Sequence, residues 1–252
     1  YAAGFVYNNM TDIKDDPYIK TNPLVRGEVS QAYARAILGI CLAFSILSFL
    51  VLYNTNIARL VYFGYLFLCL AYSGCGIRFK ERLAGPVVAA FVIWIGGPLI
   101  LLTEFKSFDA VTIGLILGSW LVFIGREVLH TVTDYGADMR SGYRTFAIRV
   151  GLCTSSRIQN LAFITGAMIL VSGLYIYFDG WPTATMGVLL FAVLGLAIIV
   201  HLVAGLNSQL LDQRTAYLLI RLFYVMYTAV ILQLSPLLVL MFAWVFLTSK
   251  RS

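Results

Sequence analysis

Residues 130–142 of the chain read HTVTDYGADMRSG, and they follow a long apolar segment that runs from residue 110 to residue 125. Asp134 and Asp138 are four residues apart, so a helix that continues through them would place both carboxylates on one face. At further steps of four, His130 and Arg126 join that face. Two carboxylates at this spacing repel each other, by roughly a few tenths of a kcal/mol in water and by more near a bilayer. A positive partner is therefore expected between them, and a divalent cation is the simplest one.

Near the start of the chain, a second group of oxygen-bearing side chains has the same spacing. Asn8, Asp12 and Asp16 recur at four-residue steps, with Asn9 and Asp15 beside them. Each group lies where an apolar segment meets a polar loop, so the sequence predicts two separate clusters of oxygen ligands. The alternative is that these side chains are solvated or paired with loop arginines, and for Asp15 solvation is the favoured interpretation.

The composition predicts a membrane protein. The chain is 60% hydrophobic with a mean hydropathy of +0.87, and 12% of its residues are charged, against about one quarter in an ordinary soluble domain. Most of the uncharged runs reach the roughly 18 residues that a spanning helix needs. These runs cover residues 36–58, 60–77, 83–103, 110–125, 158–178, 180–211 and 222–249. The predicted fold is therefore an all-α integral membrane bundle with seven complete spans.

The first residues of the chain suggest the end of a further helix. Residues 1–7 are apolar and aromatic, and they lead directly into the first acidic cluster. So short a segment cannot cross ~30 Å of hydrocarbon. We expect that the chain begins in the last turns of a helix whose start is absent, and that residues 1–252 form a single transmembrane domain.

The placement of the basic residues decides what the net charge of +6 means. If every span crosses the membrane once, the loops at 11–30, 74–85, 133–157 and 206–214 lie on one side. With the helix ends beside them, these loops hold 14 of the 18 Lys and Arg residues. The positive-inside rule makes that side cytoplasmic, so the basic charge is explained by topology and not by nucleic acid. Both acidic clusters then lie on the cytoplasmic face.

One of these loops carries a compact basic patch. Arg78, Lys80 and Arg82 lie within five residues, after Gly74 and Gly76. Glycines allow a ligand to approach the backbone closely. A basic patch that faces two acidic clusters is the pattern expected for a phosphorylated ligand bridged to carboxylates by a metal ion. The alternative is that these residues are ordinary cytoplasmic anchors.

Taken together, these motifs resemble the UbiA superfamily of intramembrane prenyltransferases. That family carries two aspartate-rich motifs on cytoplasmic helix ends, usually near N-D-x-x-D-x-x-x-D and D-x-x-x-D-x-x-x-G. The corresponding segments here are Asn8-Asn9-x-x-Asp12-x-x-x-Asp16 and Asp134-x-x-x-Asp138-x-x-x-Gly142. Residues 22–30, 72–80 and 142–151 are similar to the family's loops. The sequence departs from the pattern where Asn9 replaces the usual Asp and His130-Thr131 replaces a common Asn-Asp.

The resemblance implies a nine-helix fold, of which this chain would lack the first helix and most of the second. It implies a prenyl diphosphate donor, the lipid bilayer as surroundings and Mg²⁺ as cofactor. The residues implied as catalytic and metal-binding are Asp12, Asp16, Asp134 and Asp138, with Asn8 as a further metal ligand. The residues implied in substrate binding are Asn8, Asn9, Tyr72, Arg78, Lys80, His130 and Arg140. His130 is equally consistent with a hydrogen-bonded interior histidine, and Tyr72 with ordinary packing.

Three functions remain open at the level of sequence. The favoured one is prenyl transfer to an acceptor, which is commonly aromatic or quinone-precursor-like in this family. The second is cyclisation of the prenyl diphosphate, because some family members are terpene cyclases and the second motif here is altered. The third is a non-catalytic membrane carrier, which the near absence of charged residues from the predicted spans disfavours.

Overall fold

The computed structural model describes residues 2–13, 22–52, 55–74, 76–105 and 108–177. All regular structure in these ranges is helical, as the sequence predicts. The helices are α1 (Ala2–Thr11), α2 (Gln31–Leu52), α3 (Asn56–Ser73), α4 (Gly85–Ala90), α5 (Gly96–Phe105), α6 (Ala110–Thr133), α7 (Tyr135–Ser141), α8 (Phe146–Val150) and α9 (Leu152–Tyr177). The predicted spans at 180–211 and 222–249 lie outside the described residues, as do Asp15 and Asp16.

Several of the predicted spans are long apolar helices in the structure. Three helical stretches of the described chain have the length and composition to cross a membrane, namely Gln31–Val51, Gly85–Glu104 and Ala110–Thr133. The apolar part of α3 is shorter, at Asn56–Ala71, and α9 has 26 residues. The all-α membrane fold is thus confirmed, and the number of seven spans stays a prediction.

Helices α2 and α3 pack against each other, since the Phe49 and Tyr62 rings stack with centroids 4.9 Å apart and the Tyr62 hydroxyl donates to the Ser45 carbonyl at 2.7 Å. Ser30 accepts a hydrogen bond from the Tyr33 N–H at 3.2 Å, and Thr55 accepts one from the Ala58 N–H at 3.2 Å. These hydroxyls satisfy N–H groups that lack a partner within the helix. The Thr55 N–H and hydroxyl each also donate to Glu104 at 3.1 Å, which ties the start of α3 to the end of α5.

A wide helical turn joins α4 to α5, so the two form one continuous helix. Residues Phe91–Ile95 are π-helical, and the Gly96 N–H donates to the Phe91 carbonyl five residues back. The sequence predicts an uninterrupted span here and gives no indication of the wide turn. The turn packs against α6, since the rings of Trp94 and Phe123 stack with centroids 4.3 Å apart and planes 5° from parallel.

Glycines bring α6 and α9 into close contact. A Cβ atom added at Gly166 would lie 2.6 Å from the Val122 nitrogen and 2.7 Å from the Gly118 carbonyl oxygen. A Cβ atom at Gly125 would likewise lie 3.0 Å from the Gln159 carbonyl oxygen. Because lipid gives helices little hydrophobic reason to associate, such small residues allow the backbone contact that holds two spans together.

We expect the change Gly166→Ala to destabilise the protein, because the added methyl group would meet backbone atoms that cannot rotate away. Overpacking of this kind typically costs about 1–3 kcal/mol. Gly114→Ala, in α6, is the matched control, because a Cβ atom there meets nothing within 4 Å. Thermal unfolding in detergent should show a lower midpoint for the first variant and an equal or higher one for the second. Equal midpoints for both variants would contradict the close packing of α6 on α9.

Candidate active site

The first acidic cluster lies at the end of α1. The helix ends at Thr11, and the Asp12 N–H still donates to the Asn8 carbonyl at 3.0 Å. This continues the helical turn, so Asn8 and Asp12 lie on one side of it, as their spacing predicts. Asp12 is only 7% exposed. The Asn22 amide donates to the Asn9 carbonyl at 2.9 Å, which ties residue 22 to this helix end.

The loop after α3 supplies the cation that meets Asp12. A turn of 3₁₀ helix at Phe79–Glu81 directs Lys80 inward, where its Nζ contacts the Asp12 carboxylate. Both side chains are largely buried, at 13% and 10% exposure. A buried carboxylate requires a positive or hydrogen-bonding partner, and Lys80 meets this requirement.

The second acidic cluster begins where α6 ends. The sequence favours a helix that continues past Asp134, whereas the structure ends α6 at Thr133 and begins α7 at Tyr135, with Asp134 at φ −90° and ψ 0° between them. The Asp138 N–H nevertheless donates to the Asp134 carbonyl at 2.9 Å, so one helical turn still joins the two aspartates. His130 Nδ1 lies 2.7 Å from Asp134 Oδ2.

A glycine turn folds the chain back over Asp138. Gly142 ends α7 at a φ of 74°, a left-handed conformation that glycine adopts without strain. The turn brings the Thr145 hydroxyl to Asp138 Oδ2, to which it donates at 2.8 Å. It also places the centre of the Tyr143 ring 5.2 Å from Lys80 Nζ, a cation–π contact.

The two acidic clusters line one cavity at this end of the bundle, which we call the outer cavity. Its volume is about 200 Å³. The polar residues around it are Asn8, Asp12, Tyr72, Lys80, Glu81, Glu127, His130, Thr131, Asp134, Asp138, Tyr143 and Thr145. Three segments that are distant in sequence therefore bring carboxylates and a lysine around a single space.

A second space, the inner cavity, lies next to the outer one along the helices. Its volume is about 440 Å³, and its walls come from α1, α3, the π-helical turn and α6. The side chains that line it and not the outer cavity are mostly apolar, with one charged exception, Arg126; the others are Phe5, Cys69, Val92, Ile93 and Trp94. Asn8, Tyr72, Ala89, Glu127 and His130 line both cavities and form their shared wall.

The structure gathers most of the predicted site residues and places a few of them elsewhere. Asn8, Asp12, Tyr72, Lys80, His130, Asp134 and Asp138 all line the outer cavity. Arg78 forms an ion pair with Glu81 at 2.9 Å, Asn9 uses its carbonyl to hold Asn22, and Arg140 is exposed on α7. These three are not among the described residues that line either cavity, and their roles in substrate binding stay predictions. Asp16 lies outside the described residues.

The sequence interpretation missed one buried acidic residue. Glu127 is 6% exposed, lies within the apolar helix α6 and lines both cavities. Its carboxylate contacts the Arg126 guanidinium. The sequence did contain an indication of this residue, because an acidic side chain inside a candidate span is a functional candidate by default. The spacing argument overlooked it, since residue 127 does not lie in the four-residue series of Asp134 and His130.

The carboxylates do not form a ready-made metal cage in the part of the chain that is described. No group of three His, Cys, Asp or Glu side chains there is close enough to hold an ion. Mg²⁺, however, is commonly bound by one or two carboxylates together with substrate phosphates. Asp12, Asp134 and Asp138 around one small cavity fit that kind of site, in which the ligand supplies the remaining oxygens.

Burial sets the protonation behaviour of Asp138. It raises the pKa of the Asp138 carboxyl above its ordinary value, and repulsion from Asp134 acts in the same direction. The hydrogen bond from Thr145 lowers the pKa and opposes this effect, without overcoming it. In the ligand-free protein, the ionised carboxylate of Asp138 is therefore a source of instability that a bound cation would remove.

Comparison with known proteins gives one match. The sequence model of the UbiA prenyltransferase family matches residues 1–219 of the chain. No curated protein and no solved structure shows significant similarity to the chain. The family match includes both acidic clusters and every residue around the two cavities.

We expect Asp138→Asn to raise the thermal midpoint of the ligand-free protein at pH 7.5 in the presence of EDTA. Because the pKa of Asp138 is raised in the folded state, its contribution to stability falls as the pH rises through that pKa. Asparagine cannot ionise and can still accept the Thr145 hydrogen bond. Towards pH 4, near the ordinary aspartate pKa of about 3.9, the difference between the two proteins should disappear.

Asp109→Asn provides the contrasting control for this measurement. Asp109 caps α6 at its other end, where the Thr112 N–H donates to it at 2.8 Å. Hydrogen bonds from the Thr112 backbone and side chain hold the pKa of Asp109 below its ordinary value. Its carboxylate thus stabilises the fold above that ordinary value, and the stabilisation is lost as the pH falls. The same replacement should lower the midpoint at pH 7.5, and a rise there would contradict this account.

Proposed function

Because the chain belongs to the UbiA prenyltransferase family, we propose that it transfers an isoprenoid group from a prenyl diphosphate to an acceptor inside the membrane. The observation that supports this most directly is the meeting of Asp12, Lys80, Asp134 and Asp138 in one cavity. An anionic head group needs such a combination of a cation and metal-binding carboxylates. The cavity lies at the end of a bundle of apolar helices, as expected for a substrate with a charged head and a hydrocarbon tail.

In this proposal the outer cavity binds the diphosphate. Asp12, Asp134 and Asp138 would hold Mg²⁺ together with diphosphate oxygens, and Asp16 and Asn8 are proposed as further ligands. The bound ion would stabilise the negative charge that develops on the departing diphosphate. Lys80 adds a fixed positive charge, which Tyr143 keeps in place. By the positive-inside rule, this end of the bundle faces the cytoplasm.

The proposed reaction uses the surroundings of the reacting carbon as well as the head group. The bond between C1 of the isoprenoid and the diphosphate oxygen breaks, and its electron pair leaves with the diphosphate. A nucleophilic atom of the acceptor forms the new bond to C1, and the acceptor loses one proton. Apolar residues such as Ala89 and Pro86 line the outer cavity and limit attack by water on the allylic cation.

Cyclisation of the same cation is a second candidate function. The second acidic motif is altered at His130, whose Nδ1 lies 2.7 Å from Asp134 Oδ2. The shared wall of the cavities also carries an aromatic ring, Tyr72, that could face a cation. A cyclase would form a terpene from the diphosphate alone, whereas transfer needs a second substrate.

The carrier hypothesis gains no support, because the charges within α6 at Arg126 and Glu127 pair with each other.

The decisive experiment incubates the protein in nanodiscs with geranyl, farnesyl or geranylgeranyl diphosphate and Mg²⁺, without an acceptor. Release of diphosphate is measured, and the organic extract is analysed by mass spectrometry. We expect slow, EDTA-sensitive release that falls by about 100-fold in Asp12→Asn and Asp134→Asn, the scale of loss when a charge-stabilising group is removed. A cyclic terpene would identify a cyclase, and an open-chain alcohol would identify a transferase that lacks its acceptor.

The matched control is Asp109→Asn, at the opposite end of α6 from Asp134. Asparagine can still accept the hydrogen bond from the Thr112 N–H, so the local structure should persist despite the lower thermal midpoint. Release should be unchanged in this variant. If Asp12→Asn and Asp134→Asn released diphosphate as fast as the control, the outer cavity would not be the donor site.

A further inference from the structure

Two arginine side chains lie close to the outer cavity and take no part in lining it. Arg82 lies three residues before Gly85, the first residue of α4, and Arg149 lies three residues before Leu152, the first residue of α9. Both side chains are exposed, and neither arginine is among the described residues that line the outer or the inner cavity. Binding of the proposed donor therefore does not explain their positive charges.

Backbone carbonyls hold both guanidinium groups through one nitrogen each. Arg82 Nε donates to the Ile77 carbonyl at 2.7 Å. Arg149 Nε donates to the Glu81 and Arg144 carbonyls, both at 2.8 Å, so the two arginines belong to adjoining loops. Within the described residues, neither arginine forms an ion pair. Since these hydrogen bonds use Nε alone, the Nη nitrogens of two positioned guanidinium groups can donate to a ligand.

Exposed apolar side chains continue from Arg82 into a helix that is long enough to span a membrane. Leu83 follows Arg82 directly and is 55% exposed, and Val87, four residues further on, is 38% exposed. The apolar stretch Gly85–Glu104 begins between them. Leu152, at the start of α9, is also exposed. A soluble anion would leave these apolar side chains in water, whereas a lipid presents a phosphate group and acyl chains together.

We propose that Arg82 and Arg149 form a binding site for the head group of an anionic phospholipid, in the leaflet at this end of the bundle. The Nη nitrogens of the two side chains donate to phosphate oxygens, and Leu83 and Leu152 contact the lipid beside its head group. Two positive charges favour a head group with net negative charge over a zwitterionic one. This inference does not depend on the proposed reaction.

A lipid at this site would also stabilise the loops around the outer cavity. Glu81 lines that cavity, and its carbonyl accepts the hydrogen bond from Arg149. Thr145, which donates to Asp138, directly precedes the short helix that carries Arg149. A phosphate group shared by Arg82 and Arg149 would therefore hold the loop before α4 against the loop before α9.

The test measures binding of single lipids to the full chain in detergent by native mass spectrometry. Phosphatidylglycerol and phosphatidylcholine with identical acyl chains are titrated separately, and the affinity for the first bound lipid is compared. We expect wild-type protein to bind phosphatidylglycerol about tenfold more tightly, and the double variant Arg82→Gln/Arg149→Gln to show a preference below about twofold. Equal affinities in the wild type, or an unchanged preference in the double variant, would overturn the proposal.

A variant with the same loss of charge provides the matched control. Arg26→Gln/Arg35→Gln removes two exposed arginines, one before α2 and one near its start, and should keep the wild-type preference. An equal loss in this control would show that total charge sets the preference, which would overturn the proposal. If the double variant does not fold, Arg82→Gln alone leaves both hydrogen bonds of Arg149 in place and should still reduce the preference several-fold.

A soluble phosphate distinguishes a lipid site from a general anion site. Glycerol phosphate carries the same phosphate chemistry without acyl chains, and it is added in tenfold excess over phosphatidylglycerol. We expect the bound lipid to remain, because the apolar contacts are made by the lipid alone. Displacement of the lipid by glycerol phosphate would overturn the assignment to a lipid.

Discussion

The contact between Lys80 and Asp12 joins two segments that are 68 residues apart, and the candidate site is arranged around it. It fixes the loop after α3 against the end of α1, so the two meet beside the end of α6. Asp12, Asp134 and Asp138 border one small cavity, where their charges repel one another. Lys80 and His130 offset part of this repulsion, and Lys80 also contacts the Tyr143 ring. The site can therefore exist before any ligand arrives.

The outer surface of the bundle must be apolar, because it faces the lipid of the bilayer. Helix α2 exposes Phe44, Leu47 and Leu50, which suit a surface covered by lipid. Among the described carboxylates of the site, Asp12 contacts Lys80, Asp134 contacts His130, Asp138 accepts from Thr145 and Glu127 contacts Arg126. Hydrophobic burial provides little attraction between spans. The glycines of α6 and α9 instead allow the two helix backbones to come into close contact. The fold thus separates two tasks, with small residues holding helices together and charged residues forming the site.

Much of this arrangement could be predicted from the sequence because it depends on local spacing. The four-residue steps of Asn8 with Asp12 and of Asp134 with Asp138 place each pair on one helix turn, and the structure confirms both pairs. The caps at Ser30 and Thr55 follow from residue type in the same way, because each hydroxyl accepts an N–H of the first helical turn.

Other features depend on contacts between distant segments, which spacing does not encode. The basic patch is an example, because Arg78 and Lys80 are two residues apart and yet point to different partners, Glu81 and Asp12. The sequence analysis did not identify Glu127, because its position on a cavity wall depends on four separate parts of the chain. The wide turn at Phe91–Ile95 has no sequence signature at all, since its residues would equally fit an ordinary apolar helix.

That wide turn gives the bundle an independent means of adjusting its interior. A π-helical turn is equivalent to a single-residue insertion that the backbone absorbs within one turn. Val92, Ile93 and Trp94 are consecutive and all line the inner cavity, and the smaller angular step of a π-helical turn brings them closer to one face than a regular helix would. The flanking helices keep their own register, with Gly96 against the Tyr65 ring on one side and Ala90 against Phe123 on the other. Gain or loss of one residue here would thus change the shape of the inner cavity without moving the carboxylates that line the outer cavity.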